Sequence, residues 1–514
     1  MRQVPHTEYS GYRGVGIRLM EPILSDLHAD ASVGRDRQLL KGYHWFDKAH
    51  IVMLGEEGLI PRADAVTLLK ALREMEAQGY EEARIKMGWG LHSGEQYLIQ
   101  RFGYEAGGRI HLARSSGDLI AVARRVTVRD QIIRTMKGIL ELRQALLPFA
   151  VKTADAVMPG YTHGMHAQPT TLGAQIVSWL ARLERDFQRF AAAYARTNES
   201  PAGAAIMTGS PFAVNRESTA RYLGFDSVLY STFDAIVGAS DYFLESFSAV
   251  AIVNGHLGKW AEDIAGWYSN ESEMVDIPDR FCHTSSIMTH KKNPVALEQI
   301  RGSAADVVGG LASAFVANKS KSGGADGGGG SFFALFDGFD LIVRDMHWLA
   351  LMVPQMEVRR ARMLELASSH WAVAPDIASA LVMEKGLSWR VAHQIVGIMV
   401  RLSRERAIAP LQATPALLDE AAVEYLGKPA GLSAESLRKA LSPVEAVNAR
   451  KLYGGPAPEQ TRARAAECQE RIRTDRAVVE SMESRLAAAE KLLEYRIDAL
   501  LAAPSARATE KARA

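Results

Sequence analysis

Apolar residues recur at three- and four-residue steps over long windows of the chain, the spacing that gives a helix one buried stripe. Ile176, Leu180, Leu183, Phe187, Phe190 and Tyr194 make one such stripe. Phe243, Phe247, Val250, Leu257, Trp260, Ile264 and Trp267 make a second, and Leu297, Ile300, Ala304, Val307, Leu311 and Ala314 a third. Phe339, Val343, Met346, Ala350 and Val353 add a fourth, and the segment around Ile132, Met136 and Ile139 a fifth. Seams that follow a roughly 3.5-residue repeat pack helix against helix, so the middle of the chain is predicted to be a long five-helix bundle. No alternating strand pattern bounded by turn residues stands out, and the fold class read from the pattern is all-α.

Breaks in the pattern suggest three helical domains. Gly107-Gly108 and the polar stretch Arg114 to Asp118 read as a loop entering the first bundle helix. After Val353-Pro354 the chain turns polar, and a new helical unit is predicted near residue 373. The expected division is therefore 1–118, 119–372 and 373–514, the last ending in a charged amphipathic stretch, Thr461 to Leu500, and an Ala/Arg-rich tail. The glycine-rich segment from Ser322 to Ser331 reads as a loop joining two bundle helices. A chain of 514 residues, 47% hydrophobic and 23% charged, has the make-up of a multi-domain globular protein and not of a disordered or rod-like one. Sixty Lys+Arg against 59 Asp+Glu leave a net charge of +1, with no global field for nucleic acid or an acidic membrane. No uninterrupted apolar run reaches the ~18 residues of a spanning helix and the N-terminus lacks a signal-peptide stretch, so a cytoplasmic location is expected. Cys282 and Cys468 cannot make a disulfide framework or a four-thiolate zinc site, although a single bridge stays open.

The segment richest in chemistry is Thr284-Ser-Ser-Ile-Met-Thr-His-Lys-Lys-Asn-Pro294, followed by Val-Ala-Leu-Glu298 and a bundle helix. Small hydroxyl residues before a helix offer backbone N–H donors, and two lysines and an amide add charge and further donors. Such a loop could cradle a carboxylate at Lys291 and Asn293, with Ser285 close enough to act on a neighbouring C–H. The residues alone leave a second reading open: a polar loop with helix-capping serines and solvated lysines.

The stretch resembles the signature of the argininosuccinate lyase, fumarase and aspartase superfamily, Gly-Ser-Ser-[Ile/Leu]-Met-Pro-Gln-Lys-Lys-Asn-Pro in the lyases. Thr284 replaces the first Gly and Thr289-His290 replace Pro-Gln. Met158-Pro-Gly-Tyr-Thr-His163 with Ala167-Gln-Pro169 is similar to a second family block. The likeness to argininosuccinate lyase continues through Ser200-Pro201, Asn215-Arg216, Trp260-Ala-Glu-Asp263 and Gly454-Gly-Pro-Ala-Pro458. The resemblance implies a homotetramer with a twenty-helix core, active sites built from three subunits, and reversible β-elimination from a succinyl compound with release of fumarate, without a cofactor. It implies Ser285 as the base that takes the Cβ proton, and Lys291 and Asn293 as holders of the carboxylate that becomes the aci-form. His163 resembles the family histidine paired with a carboxylate, here Glu298, and a possible proton donor to the amine. Thr162, Ser115, Arg114 and the donors around Ser286 resemble substrate contacts, and Ser32 and Asp36 keep a Ser-x-x-x-Asp spacing that meets a guanidinium in the lyases. His92 reads either as a family histidine near the substrate or as a surface residue at a helix start, and His163, read without the motif, as a structural histidine.

Departures shape the expected substrate. Where the lyases read Gly-Arg-Ser-Arg-Asn-Asp, this chain has Ala113-Arg-Ser-Ser-Gly-Asp118, so a guanidinium and an amide have become Ser116 and Gly117. The glycine loop 323–330 replaces the segment that contacts the arginine part, with Lys319 and Lys321 beside it. The expectation is a C–N lyase of N-substituted aspartates of the polyamino-carboxylate type, ethylenediamine-disuccinate lyase being the relative in mind. The alternatives are argininosuccinate lyase itself and a catalytically silent, crystallin-like homologue. His163, His166 and His111 raise a metal, but with no Glu-x-x-His pattern and no thiolate cluster no metal is expected. The glycine loop lacks a following Gly-Lys-Ser/Thr and is not read as a phosphate cradle, and the adjacent Cys282-His283 are not read as a nucleophilic pair.

Overall fold

The computed structural model describes residues 36–87, 90–238, 240–318 and 328–502. Four helices come first: α1 (Leu40–Glu56), α2 (Arg62–Ala77), α3 (Tyr80–Lys86) and α4 (Ser93–Gly107). Helix α5 (Ser116–Lys152) opens the bundle, an antiparallel hairpin β1 (Val157–Thr162) and β2 (Met165–Thr171) follows, and α6 (Leu172–Thr197) returns along α5. After the short α7 (Arg216–Tyr222) come α8 (Asp241–Tyr268), a two-residue hairpin β3 (His283–Thr284) and β4 (Lys292–Asn293), α9 (Val295–Ala317) and α10 (Gly328–Met352). Beyond α10, Glu357–Val358 pairs antiparallel with Val275–Asp276 and the helices are α11 (Arg360–Ala367), α12 (Ala374–Lys385), α13 (Trp389–Glu405), α14 (Pro415–Leu426), α15 (Ala434–Ala440), α16 (Pro443–Asn448) and α17 (Pro458–Ala502). The fold is all-α, with small hairpins inserted where chemistry was expected.

The five bundle helices are α5, α6, α8, α9 and α10. Every residue of the first two stripes, and Ile132, Met136 and Ile139, is buried. Trp179 stacks on Trp260 and Trp267 with ring centroids 5.0 and 5.8 Å apart, locking α6 against α8. Helix α5 begins inside the stretch expected to be loop. Ser115 caps it, its Oγ accepting from the Gly117 N–H at 3.0 Å while the Asp118 carboxylate accepts from the Ser115 N–H at 2.8 Å.

Residues 371–446 form a separate small core around Ile377, Ile395, Met399 and Leu418. The last helix, expected to belong with that unit, instead packs along α5, α6 and α1, and its Ala465, Cys468, Ile472, Leu493 and Ile497 join the main core. Its charges reach across: Arg471 pairs with Glu184 at 2.7 Å and Arg496 with Glu56 at 2.6 Å. Both cysteines are free, and burial together with the nearby Glu184 carboxylate pushes the Cys468 thiol up to about 12. The glycine segment is shorter as a loop than expected: α10 starts at Gly328, and residues 319–327, with Lys319 and Lys321, lie outside the described residues.

The expectation about membrane-length apolar segments changes as well. Asp234–Tyr268 and Val295–Ala317 are, by length and composition, apolar enough to cross a membrane, because a window average tolerates the few charges that interrupt an apolar run. In the fold α8 and α9 pack against each other inside the bundle. Part of their apolar surface stays outside it, with Ile252, Val308, Phe315 and Val316 exposed.

Candidate active site

Residues 283–293 form a closed loop at the entrance of α9. Strands β3 and β4 pair His283 with Asn293 and Thr284 with Lys292. Across the turn the Lys291 N–H donates to the Met288 carbonyl at 3.0 Å, and Pro294, lacking an N–H, ends the strand where α9 starts. The base of the loop is tied down: the Tyr268 hydroxyl donates to the Lys292 carbonyl at 3.0 Å, and Lys292 Nζ reaches Asp276 at 3.0 Å and Asp279 at 2.8 Å. Burial works against the Lys292 charge, but the two carboxylates outweigh it and hold its pKa above the ordinary lysine value. Lys292 is thus engaged in holding the loop, while Lys291 is exposed and has no ion pair among the described residues.

Ser285 sits at the start of the turn. Its Oγ accepts from the Met288 N–H at 3.0 Å and lies 3.4 Å from the Ile287 nitrogen. Two backbone donors aimed at one hydroxyl oxygen favour its ionised form, the requirement for a serine that takes a proton. Ser286 and the tip as far as Lys291 are exposed, and Asn293 is half-buried in β4.

The second candidate segment is the turn of the β1–β2 hairpin. Thr162 pairs with Met165, leaving His163 (φ 55°) and Gly164 (φ 73°) as a two-residue turn with both residues in the left-handed region. Glycine adopts that region at no cost, whereas His163 is held there against its preference. Thr162 and His163 are both exposed. Behind the turn, His166 lies 3.3 Å from the Tyr161 hydroxyl and 3.3 Å from Ser369 Oγ, and its ring meets His370 edge-on at 4.9 Å. Burial and the neighbouring His370 hold the His166 pKa below the ordinary histidine value.

The third segment is the approach to α5. Arg114, expected to touch substrate, has a side chain 1% exposed that donates to Asp47 at 2.8 Å, and Asp47 also holds the buried Arg84. Arg114 therefore anchors the segment from inside, since a sealed guanidinium cannot meet a ligand. Ser115 serves as the helix cap. His92 is buried; Nε2 lies 3.0 Å from Ser116 Oγ and Nδ1 2.9 Å from Glu95 Oε2, which also lies 3.0 Å from His111 Nδ1. Glu95 is buried, yet the hydrogen bonds from His111 and His92 and the charge of Arg114 hold its carboxyl well below the usual range. Ser32 and the Asp36 side chain lie outside the described residues.

A single chain does not bring the three segments together by any hydrogen bond or ion pair among the described residues. The expected pairing of His163 with Glu298 is not formed within one chain: His163 is on a hairpin turn and Glu298 in the first turn of α9, both exposed. A cavity of about 600 Å³ between α1, α5 and α17, lined by Trp45, Tyr80, Lys48 and Glu494, contains none of the candidate residues. Sequence reasoning missed the loop anchors Tyr268, Asp276 and Asp279, the donors at Ile287 and Met288, and the His92–Glu95–His111 cluster. Glu95, three residues after His92 at a helix start, was the only local signal for the last.

Comparison with known proteins gives a consistent picture. Residues 85–309 match the family model described as Lyase, and residues 371–448 match Argininosuccinate lyase C-terminal. The chain is similar to argininosuccinate lyase of Methanothermobacter thermautotrophicus, 34% identical over 83% of this chain and 92% of the relative. Argininosuccinate lyase of Methanocaldococcus jannaschii is 31% identical over 91% of this chain and 96% of the relative. Among solved structures, EDDS lyase in complex with formate superposes with a TM-score of 0.85 and 27% identity, over 95% of this chain and 97% of that one.

Proposed function

Because the chain belongs to the argininosuccinate lyase family of the fumarase/aspartase superfamily, and is a fumarate-forming C–N lyase, we propose that it eliminates an amine from an N-substituted aspartate of polyamino-carboxylate type. The observation that carries this reading is at the start of α5. The positions where the resemblance implies a guanidinium and an amide hold Ser116 and Gly117, and Ser116 is bonded to His92. A site without those donors departs from the argininosuccinate lyase pattern, and the likeness to EDDS lyase supports another N-substituted aspartate in its place. The second reading, argininosuccinate as substrate, is favoured by the higher identity to proteins of that name.

In this reading Ser285, its oxygen faced by the Met288 and Ile287 amides, takes the Cβ proton. Lys291, Asn293 and Ser286 hold the carboxylate on which charge builds up. Thr162, Ser115 and, from the N-terminal segment, Ser32 and Asp36 complete the binding surface, while the buried Arg114 and His92 support it from behind. His163 with Glu298 protonates the departing amine, and the electron pair of the broken C–N bond leaves with nitrogen as the Cα–Cβ double bond of fumarate forms.

The site works as an assembly in which three chains each bring one segment, which is why Thr162, His163, Lys291 and Glu298 are exposed in a single chain. The apolar residues left outside α8 and α9 supply the faces of a soluble homotetramer with a common helical core. We keep the three-domain division with boundaries near 118 and 372, with α17 returned to the central body. The test is fumarate absorbance with ethylenediamine-disuccinate, argininosuccinate and simple N-alkyl aspartates. Turnover of the first with none of the second is expected, and turnover of argininosuccinate alone would overturn the reading.

A further inference from the structure

Outside the loop that carries Ser285, the described residues hold one cluster of metal-ligating type: His92, Glu95 and His111, whose ligand atoms all lie within 4.8 Å of one another. Two imidazole Nδ1 atoms converge on a single carboxylate oxygen at 2.9 and 3.0 Å, and the two rings stack with centroids 5.5 Å apart. We propose that this cluster is a binding site for a divalent transition-metal ion of the zinc type, with His92 Nδ1, His111 Nδ1 and Glu95 as ligands.

The geometry suits such an ion. In a tetrahedral site, metal–ligand bonds of about 2.0 to 2.2 Å put neighbouring ligand atoms roughly 3.3 to 3.6 Å apart, so an ion can be seated when the two imidazoles draw slightly away from the carboxylate oxygen. The donor set, two imidazoles and one carboxylate, suits zinc, cobalt or nickel better than calcium or magnesium, which ask for oxygen alone. His92 and Glu95 are 2% and 9% exposed, so the set is held in place, and the far nitrogen of His92 is on Ser116 Oγ, the outer contact that fixes a ligating imidazole. The His111 side chain is 38% exposed and gives the ion a way in. With three protein ligands a coordination position is left for water or a ligand group. Nothing in the lyase chemistry asks for this ion. Its effect is to tie the turn carrying His111, which runs into Arg114 and Ser115, to the start of α4. The segment that leads into α5 is then closed by a bond that the protein can gain or lose.

The experiment uses the full-length protein after chelator treatment, titrated with zinc by calorimetry, with bound metal counted after dialysis and cobalt as a spectroscopic probe. One saturable site per chain is expected, with ligand-field bands of cobalt bound to nitrogen and oxygen. His111→Ala, at a half-exposed position where folding is little at risk, is expected to weaken binding by roughly 100-fold or more, and Ser116→Ala by about 10-fold. Glu95→Gln keeps the side-chain shape and loses the charged ligand, so it gives a second reading if the alanine variant proves unstable. His370→Ala, in the other histidine pair, is expected to leave the count at one. No saturable binding by the parent protein, binding unchanged in His111→Ala and Glu95→Gln, or a site lost with His370 would each overturn the proposal.

Discussion

Replacing Ser285 by alanine separates catalysis from stability in a way the loop geometry makes quantitative. The change removes one hydroxyl that accepts from the Met288 N–H at 3.0 Å and, more weakly, from that of Ile287 at 3.4 Å. Both bonds are at the exposed rim of a turn where water can replace the lost acceptor, so the stability cost is about 1 kcal/mol or less. The backbone pairing of β3 with β4 and the Lys292 anchors do not involve the side chain and remain. The catalytic cost is of another size: a positioned proton acceptor contributes roughly 100- to 10,000-fold, about 3 to 5.5 kcal/mol of barrier. In the proposed role the hydroxyl acts on a carbon-bound proton and not on the bound carboxylate, so kcat is expected to fall with KM nearly unchanged. Fumarate absorbance under saturating substrate, paired with a thermal melt of the same preparation, reads both quantities. A variant that keeps more than about a tenth of the parent kcat would remove Ser285 from the base role. A melt lowered by many degrees would instead show that the hydroxyl holds the loop together.

Other expectations follow from the same geometry. Ser285→Ala and His163→Ala, each inactive alone, are expected to regain about a quarter of parental activity when denatured and refolded together, if chains mix at random and the two residues of one site come from different chains; mixtures no more active than their parts would place both residues in one chain's site. His50 is fully buried beside the Leu112 carbonyl, and burial, with the charge of Arg114, lowers its pKa to about 3. The unfolded chain therefore binds the extra proton between pH 6.5 and 3, so stability falls as pH drops through that window, at up to ~1.4 kcal/mol per pH unit. His50→Gln, which keeps a donor for Leu112, is expected to flatten that limb in denaturant melts at pH 4.5 to 6.5. Glu76, lowered to about 2 despite its burial by hydrogen bonds from His44 and Lys48, gives stability that is present above about pH 4.5 and is lost only below it. Gly42→Ala is expected to destabilise by about 1 to 3 kcal/mol in the same melts, since its Cβ would lie 2.5 Å from the Ala123 Cα where α1 crosses α5.

The bundle was legible because a helix in a core needs an apolar residue every three or four positions, and Ile176 to Tyr194 or Phe243 to Trp267 meet that need without interruption. The same rule states which face is buried and is silent about the neighbour. In α17 the buried positions Ala465, Cys468, Ile472, Val479 and Leu493 are separated by runs of charge, so the helix read as the surface of a terminal unit. Long-range pairs such as Arg471 with Glu184, which have no local signature, bring it onto the central body.

The candidate site divides along the same line. Candidate side chains have letters, and Ser285, Lys291, Asn293 and His163 stood out by their resemblance to the family motifs. The amides of Ile287 and Met288 aimed at Ser285, and the left-handed backbone of His163, are properties of the main chain that no letter records. His111 reaches Glu95 only because the turn after α4 doubles back, which makes the cluster a product of the fold and not of any motif. Arg114 shows the reverse case: a motif position that reads as a substrate contact is sealed against Asp47 and holds the approach to α5 from inside. What each segment contributes is therefore written locally, whereas their meeting is written in the surfaces left open. In the proposed assembly Thr162, His163, Lys291 and Glu298, exposed on one chain, meet groups carried by other chains.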